Sequence, residues 1–298
     1  MKRAGCLALA ALPFAVTAVA YLFAPGLPGG DGPARPSASA AAQARQEAKA
    51  EAERPEDDEA IAGLPAGLAA PAKKELAGRI VASAVHSTLD WRGTYGSIKD
   101  TGDGQGYTAG IVGFCTGTHD LLTLVERYTE ARPGNGLARY LPALRAVDGT
   151  DSHEGLDPGF TAAWQAEAEV EAFREAQEAE RDRVYFDPAV RLAKLDGLGT
   201  LGQFAYYDAM VFHGPDATAN GFYEVRERAV AEADTPSEGG SETAYLDAFL
   251  DAHRKAIEAK RPGDTSRVDT VLRQFLAAGN LDLDTPLRWR VYGESYRL

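Results

Sequence analysis

The densest local pattern in the chain is Gly102-Asp103-Gly104-Gln105-Gly106-Tyr107-Thr108. Alternating glycines build a tight turn that presents one carboxylate, Asp103, with a hydroxyl, Thr108, a few residues on. The glycines lack G-x-G-x-x-G spacing and open no long helix, so the turn is not a nucleotide cradle. It is not an EF-hand loop either, because Gly102 and Gly104 follow Asp100 where oxygens are needed at alternate positions. Five histidines (His86, His119, His153, His213 and His253) show no H-E-x-x-H spacing, and two cysteines cannot form a cysteine zinc site. No metal or cofactor is expected. No G-x-S-x-G elbow occurs, which disfavours that class of serine hydrolase. A second carboxylate, Asp208, falls on the apolar side of a helix expected over 188–212. It needs a cation from elsewhere, for which Arg267 is the candidate.

These residues need a scaffold, and residues 71–298 supply one. That segment carries 23 of the 26 aromatic residues, enough for one substantial core. Helical periodicity runs over 72–88, with Leu76, Ile80 and Ala84 on one stripe, then over 121–128, 160–185 and 188–212. The helix over 160–185 should stop before Pro188. Asp264-Thr265 can cap a last helix ending near Gly279. The interval 95–114 reads as turns and short strands. The fold class is therefore mainly α with a small β element (α+β), without internal repeats.

Upstream, Met1-Lys2-Arg3 precedes an uncharged run from Ala4 to Ala24, the pattern of an export signal with Ala18-Val19-Ala20 as its cleavage site. An uncleaved membrane anchor is the alternative. The mature protein is accordingly expected outside the cell, or held on the outer face of the membrane. Residues 25–70 contain no aromatic residue and read as a disordered Ala/Pro/Gly/charged linker. Removal of the signal leaves Cys115 alone, as a small buried hydrophobe. The net charge of −13 excludes nucleic acid as a natural partner and suits a polycation. A monomer is expected.

Together these segments resemble glycoside hydrolase family 46, the chitosanases of actinobacteria, over nearly all of residues 71–298. The resemblance rests on Ser87-Thr88-Leu89-Asp90-Trp91, the glycine turn through Thr108, Ile111-Val112-Gly113-Phe114-Cys115 and Tyr140-Leu141-Pro142-Ala143-Leu144. It continues through 180–188, 201–208, 265–269 and 279–283. It implies a lysozyme-like fold, with two mostly helical lobes joined by a long helix and a cleft between them. It also implies endo-hydrolysis of the β-1,4 glucosamine linkages of chitosan, a polymer whose protonated amines make it a polycation.

Inverting hydrolysis of this kind uses an acid and a base about 6.5–9.5 Å apart on opposite faces of the bond. By resemblance Asp103 is the general base, Thr108 holds the attacking water, and Asp120 binds substrate amino groups, with Ser87 and Gln105 as further substrate contacts. Asp208 and Arg267 match a buried ion network behind the site. The family's second network Arg falls on His253, with Arg254 beside it as a substitute. The family's acid, a Glu at the end of the first helix, falls on Val85. An isopropyl group gives no proton, and losing general-acid assistance forfeits about 10²–10⁴ in rate, roughly 3–5.5 kcal/mol of barrier. Gln105, Ser97 and Lys99 also replace an Arg, an aromatic and a Glu. His86 and Glu154 are the candidates to replace the acid. If neither does, the chain is a binding module for chitosan or a related amino-sugar polymer at the cell surface.

Overall fold

Three short antiparallel strands hold the glycine turn. Strand β1 (Ile98–Asp100) pairs with β2 (Tyr107–Ala109), which pairs with β3 (Phe114–Cys115). The register sets Lys99 opposite Thr108 and Thr108 opposite Cys115, so Thr108 lies on the central strand. The turn between β1 and β2 depends on left-handed backbone at Gly102, Gly104 and Gly106. Gly106 is constrained twice, because a Cβ there would stand 2.2 Å from Thr116 Oγ1.

The computed structural model describes residues 57–298 apart from 216–219 and 261. The export or anchor segment and residues 25–56 of the linker lie outside the described residues. All described residues belong to one compact unit with one continuous apolar core. Ordered structure begins before residue 71, where the sequence placed the end of the linker. Arg191 pairs with Asp57 and Asp58, and Leu68 is fully buried, its N–H donated to Gln203 Oε1 at 2.8 Å. A leucine with its backbone donor satisfied by a core glutamine belongs to the fold, whatever the surrounding composition.

Helix α1 (Pro71–Val85) opens with a proline in its first turn and buries Leu76, Ala77, Ile80 and Val81. Helices α2 (Asp120–Ala131) and α3 (Leu141–Val147) follow the sheet. The helix expected over 160–185 is broken. It forms α4 (Phe160–Glu167) and, after a turn at 168–170, α5 (Glu171–Arg181). Packing explains the break. In one straight helix, Trp164 and Phe173 would point about 180° apart. The turn brings their rings to 5.0 Å in a T-shaped contact, both fully buried.

Past Arg181 the helix does not stop before Pro188. A π-helical turn (Asp182–Phe186) carries it into α6 (Asp187–Leu195), so one helical run spans Glu171 to Leu195. The wider turn accommodates the proline, which lacks an N–H and whose ring crowds the preceding turn. At 25 residues this run is longer than any other helix among the described residues. The helix expected over 188–212 is also two: α6 ends at Gly197 in left-handed conformation, and α7 (Thr200–His213) starts afresh. Face angles drawn through both helices therefore do not apply, and Asp208 is buried for another reason. Every residue of 201–210 is buried, on all sides of α7.

Helices α8 (Phe222–Glu232) and α9 (Glu242–Lys260) pack on each other and against α7. A π-helical turn (Arg267–Leu272) leads into α10 (Arg273–Ala277), which ends at left-handed Gly279. A hairpin of β4 (Arg288–Val291) and β5 (Glu294–Arg297) completes the chain. The hairpin supports the end of α1, because Trp289 Nε1 donates to Ser83 Oγ at 3.0 Å. Among the described residues no helix is long and apolar enough to cross a membrane.

Candidate active site

Asp103 sits exposed at the tip of the β1–β2 turn. Its Oδ1 accepts the Gln105 N–H at 3.2 Å, while Asp100 Oδ1 accepts the Gly102 N–H at 2.7 Å. Two carboxylates thus tie down the backbone on either side of the tip and fix the direction in which Asp103 projects. On the central strand, Thr108 Oγ1 lies 3.3 Å from Cys115 Sγ. The Asp103 charge reaches the same group, since burial first, then Asp120 and Asp103, push the Cys115 thiol up to about 12. Asp103, Thr108 and Cys115 therefore share one electrostatic neighbourhood.

Val85 closes α1 beside this group. A Cβ built on Gly113 would stand 3.0 Å from Thr108 Cγ2 and 3.5 Å from Val85 Cγ1. Valine and threonine methyls thus lie on the side of Gly113 where a side chain would stand. Val85 is half-buried and packs on the core. Its neighbour His86 faces Gly110, with Nε2 3.0 Å from the carbonyl oxygen. Burial, with a smaller push from Lys99, holds the His86 imidazole below its ordinary value. A neutral imidazole whose Nε2–H is already given to a carbonyl does not supply a proton to a leaving group. Glu154 is exposed on the loop between α3 and α4, and the backbone of Thr150 and Asp151 in that loop covers Gly106.

Asp120 is only 8% exposed. Its Oδ1 accepts from Cys115 N and Leu121 N, each at 2.9 Å, and from Thr118 Oγ1 at 2.7 Å, while its Oδ2 accepts from Tyr185 Oη. Burial raises its pKa against the lowering effect of these four donors. Oδ1 thus holds three donors and Oδ2 one. Ser87, in left-handed conformation just past α1, is exposed and interacts with the Tyr296 hydroxyl. The Gln105 carbonyl accepts from Gly117 N at 2.9 Å, and its half-buried side chain follows the turn tip.

Arg267 grips Asp208 with two bonds, Nη2–Oδ1 at 2.6 Å and Nε–Oδ2 at 3.2 Å. Both side chains are about 95% buried, so the pair neutralises charge that neither could carry alone. Arg254 does not join them. It is partly exposed on the outer side of α9, bonded to Asp269 at 3.2 Å and Glu258 at 2.9 Å, and does not substitute for a second network arginine. His253 is fully buried, and neither ring nitrogen has a partner. Burial pulls its pKa down to about 4, so the position is uncharged.

Sequence reasoning missed a clamp on the glycine turn. The His153 ring stacks on Tyr107 at 3.9 Å and 7°, Tyr107 Oη donates to Asp157 at 2.6 Å, and His153 stands 3.5 Å from Asp100 and 3.6 Å from Asp157. The only signal was a histidine and an aspartate at i, i+4 in a loop. Among the described residues no group of three or more His, Cys, Asp or Glu could hold a metal ion.

The sequence profile of glycosyl hydrolase family 46 matches residues 79–287. A chitosanase of Streptomyces sp. strain N174 is 56% identical over 232 residues, which cover 78% of this chain and 84% of that protein. A chitosanase of Nocardioides sp. strain N106 is 52% identical over 234 residues, with the same coverage. Among solved structures, the co-crystal of chitosanase OU01 with substrate superposes with a TM-score of 0.76 at 51% identity, covering 78% of this chain and 98% of that one. A Gynuella sunshinyii GH46 chitosanase in complex with chitotetraose gives 0.70 at 31% identity, covering 76% and 96%. The glycine turn, the long helical run and the buried Asp208–Arg267 pair thus occur in a chain that belongs to glycosyl hydrolase family 46, with the lysozyme-like fold of its chitosanases.

Proposed function

We propose that the chain binds chitosan or glucosamine oligomers and keeps only the water-activating half of an inverting hydrolysis. The observation that carries this is the contrast between two neighbours. Asp103 and Thr108 stand on a turn and strand built to hold them, while the adjoining helix end offers a valine. Asp103 would take a proton from a water held by Thr108, and the water oxygen would attack the anomeric carbon. Nothing at Val85 would protonate the departing oxygen, and His86 is already engaged by Gly110. The net charge of −13 favours a polycationic chain. Solved relatives hold chitosan-type oligomers, which supports the same ligand here.

Turnover is then expected about 10²–10⁴ below that of a site with both groups. The measurement is reducing-end release from chitosan by the native protein and by Asp103→Asn. Slow release abolished by Asp103→Asn fits the proposal, whereas fast native release defeats it. The engaged His86 and the apolar Val85 favour one second reading, a silent binding module. Calorimetry with glucosamine oligomers separates the two: heat without any turnover selects the module, and no heat at millimolar ligand sinks both. The apolar segment behind Lys2 and Arg3 supports export of the protein, or its retention on the outer face of the membrane. N-terminal sequencing of exported material distinguishes these.

A further inference from the structure

Cys115 has a use beyond filling space. Its sulfur meets two oxygens, the Gly113 carbonyl at 3.2 Å and Thr108 Oγ1 at 3.3 Å. A thiol has one proton, and a carbonyl can only accept, so the contact with Gly113 consumes the S–H. Thr108 must then donate its own proton to the sulfur. The hydroxyl of Thr118 also borders the sulfur, but its proton goes to Asp120 at 2.7 Å, so it cannot take the place of Thr108 as donor. Cross-strand pairing of Thr108 with Cys115 fixes the geometry, and burial keeps the sulfur as a thiol.

We infer that Cys115 is a positioning residue that draws the Thr108 hydroxyl proton inward, so that Thr108 offers only lone pairs to the attacking water. The water then gives one hydrogen to Thr108 and the other to Asp103, and both its lone pairs stay free, one of them to face the anomeric carbon. If the Thr108 proton pointed outward instead, it would occupy one of those lone pairs and draw electron density from the attacking oxygen, and Thr108 would no longer accept a hydrogen from the water. As the bond from the water oxygen to the anomeric carbon forms, the water proton passes to Asp103 and the glycosidic bond breaks, its oxygen leaving with the bonding pair and taking a proton from solvent water, or from the carboxyl group in Val85→Glu protein. The inference rests on the reading of Thr108 as water holder, but its first test needs no turnover.

The S–H stretching band is recorded in the full chain carrying Cys6→Ala, which leaves one thiol. The expected band is that of a donated thiol, unchanged when Thr108→Val is added. A shift to the free-thiol position on adding Thr108→Val, or a free-thiol band in both proteins, overturns the inference. The second test takes Val85→Glu protein acting on glucosamine oligomers. There Cys115→Ala should lower kcat about tenfold with KM unchanged, and Cys115→Ser, which keeps a donor and an acceptor, should recover most of it. On top of Thr108→Val, Cys115→Ala should cost nothing further, and equal losses in both backgrounds would reveal a packing role and defeat the idea. A Val85→Glu protein without turnover refutes the functional reading alone, while the band still decides the proton's direction.

Discussion

Val85 and the Thr108 methyl both border the space that a side chain on Gly113 would fill, and the chemistry available to the site turns on what replaces Val85. A carboxyl at residue 85 would be half-buried among apolar neighbours, conditions that raise a glutamic acid toward the range where it can donate a proton. Val85→Glu is therefore predicted to raise kcat on chitosan by about 10²–10⁴. It should also add an alkaline limb to the pH–rate profile, absent from the native protein, because only the protonated acid works. A rate gain without that limb would mean that the new side chain acts otherwise than as an acid. At this scale the sequence was informative wherever a residue type had a specific chemical need. Asp208 required a cation, and Arg267 is there. Arg254 was misjudged because adjacency in sequence says nothing about which side of α9 a residue occupies, and Asp269 and Glu258 draw it to the surface.

The elements that carry the site were legible where glycine or proline punctuates them and obscure where tertiary packing decides. Gly279 marks the end of α10 as its position in the sequence suggested, and the glycine turn occurs between strands. The break at 168–170 has no glycine or proline to announce it, because it exists to bring Trp164 onto Phe173. Pro188 misled in the opposite direction, since a π-helical turn lets the long helix run through it. The turn bearing Asp103 offers the sharpest test of how tightly an element holds a catalytic group. Gly106 has φ near +65°, and a Cβ there would collide with Thr116 Oγ1. Gly106→Ala is predicted to cost about 1–3 kcal/mol in denaturant unfolding, from strain and from loss of the Thr116 contact to the Tyr107 N–H. Gly104→Ala meets no atom within 4 Å and should cost less, so equal losses would contradict the steric account.

For the whole molecule, the substrate and the fold make opposing demands on pH. Chitosan becomes a polycation only as acid protonates its amines, and an acidic protein attracts it most in that state. The buried histidines resist the same acid. In the unfolded chain His253 takes a proton near the ordinary value of 6.5, but in the fold, mainly through burial, it refuses one until about 4. His213, whose ring lies 4.9 Å from that of His253 and whose nitrogens also lack partners, is held down in the same direction. Between those values the unfolded state binds more protons, so stability is full above pH 6.5 and falls as pH drops toward 4. His253 alone accounts for about 3 kcal/mol across that window. Asp120 works against it at the acid end, because a carboxyl whose pKa is raised in the fold stabilises the folded state once protonated. Urea unfolding at a series of pH values should therefore show a slope between pH 4 and 6.5 that His253→Phe reduces, the new ring resting among Phe212 and Phe249. A native profile flat through that range, or a slope unchanged by the substitution, would remove the histidine pair as the limit on working in acid, where the substrate is most strongly charged.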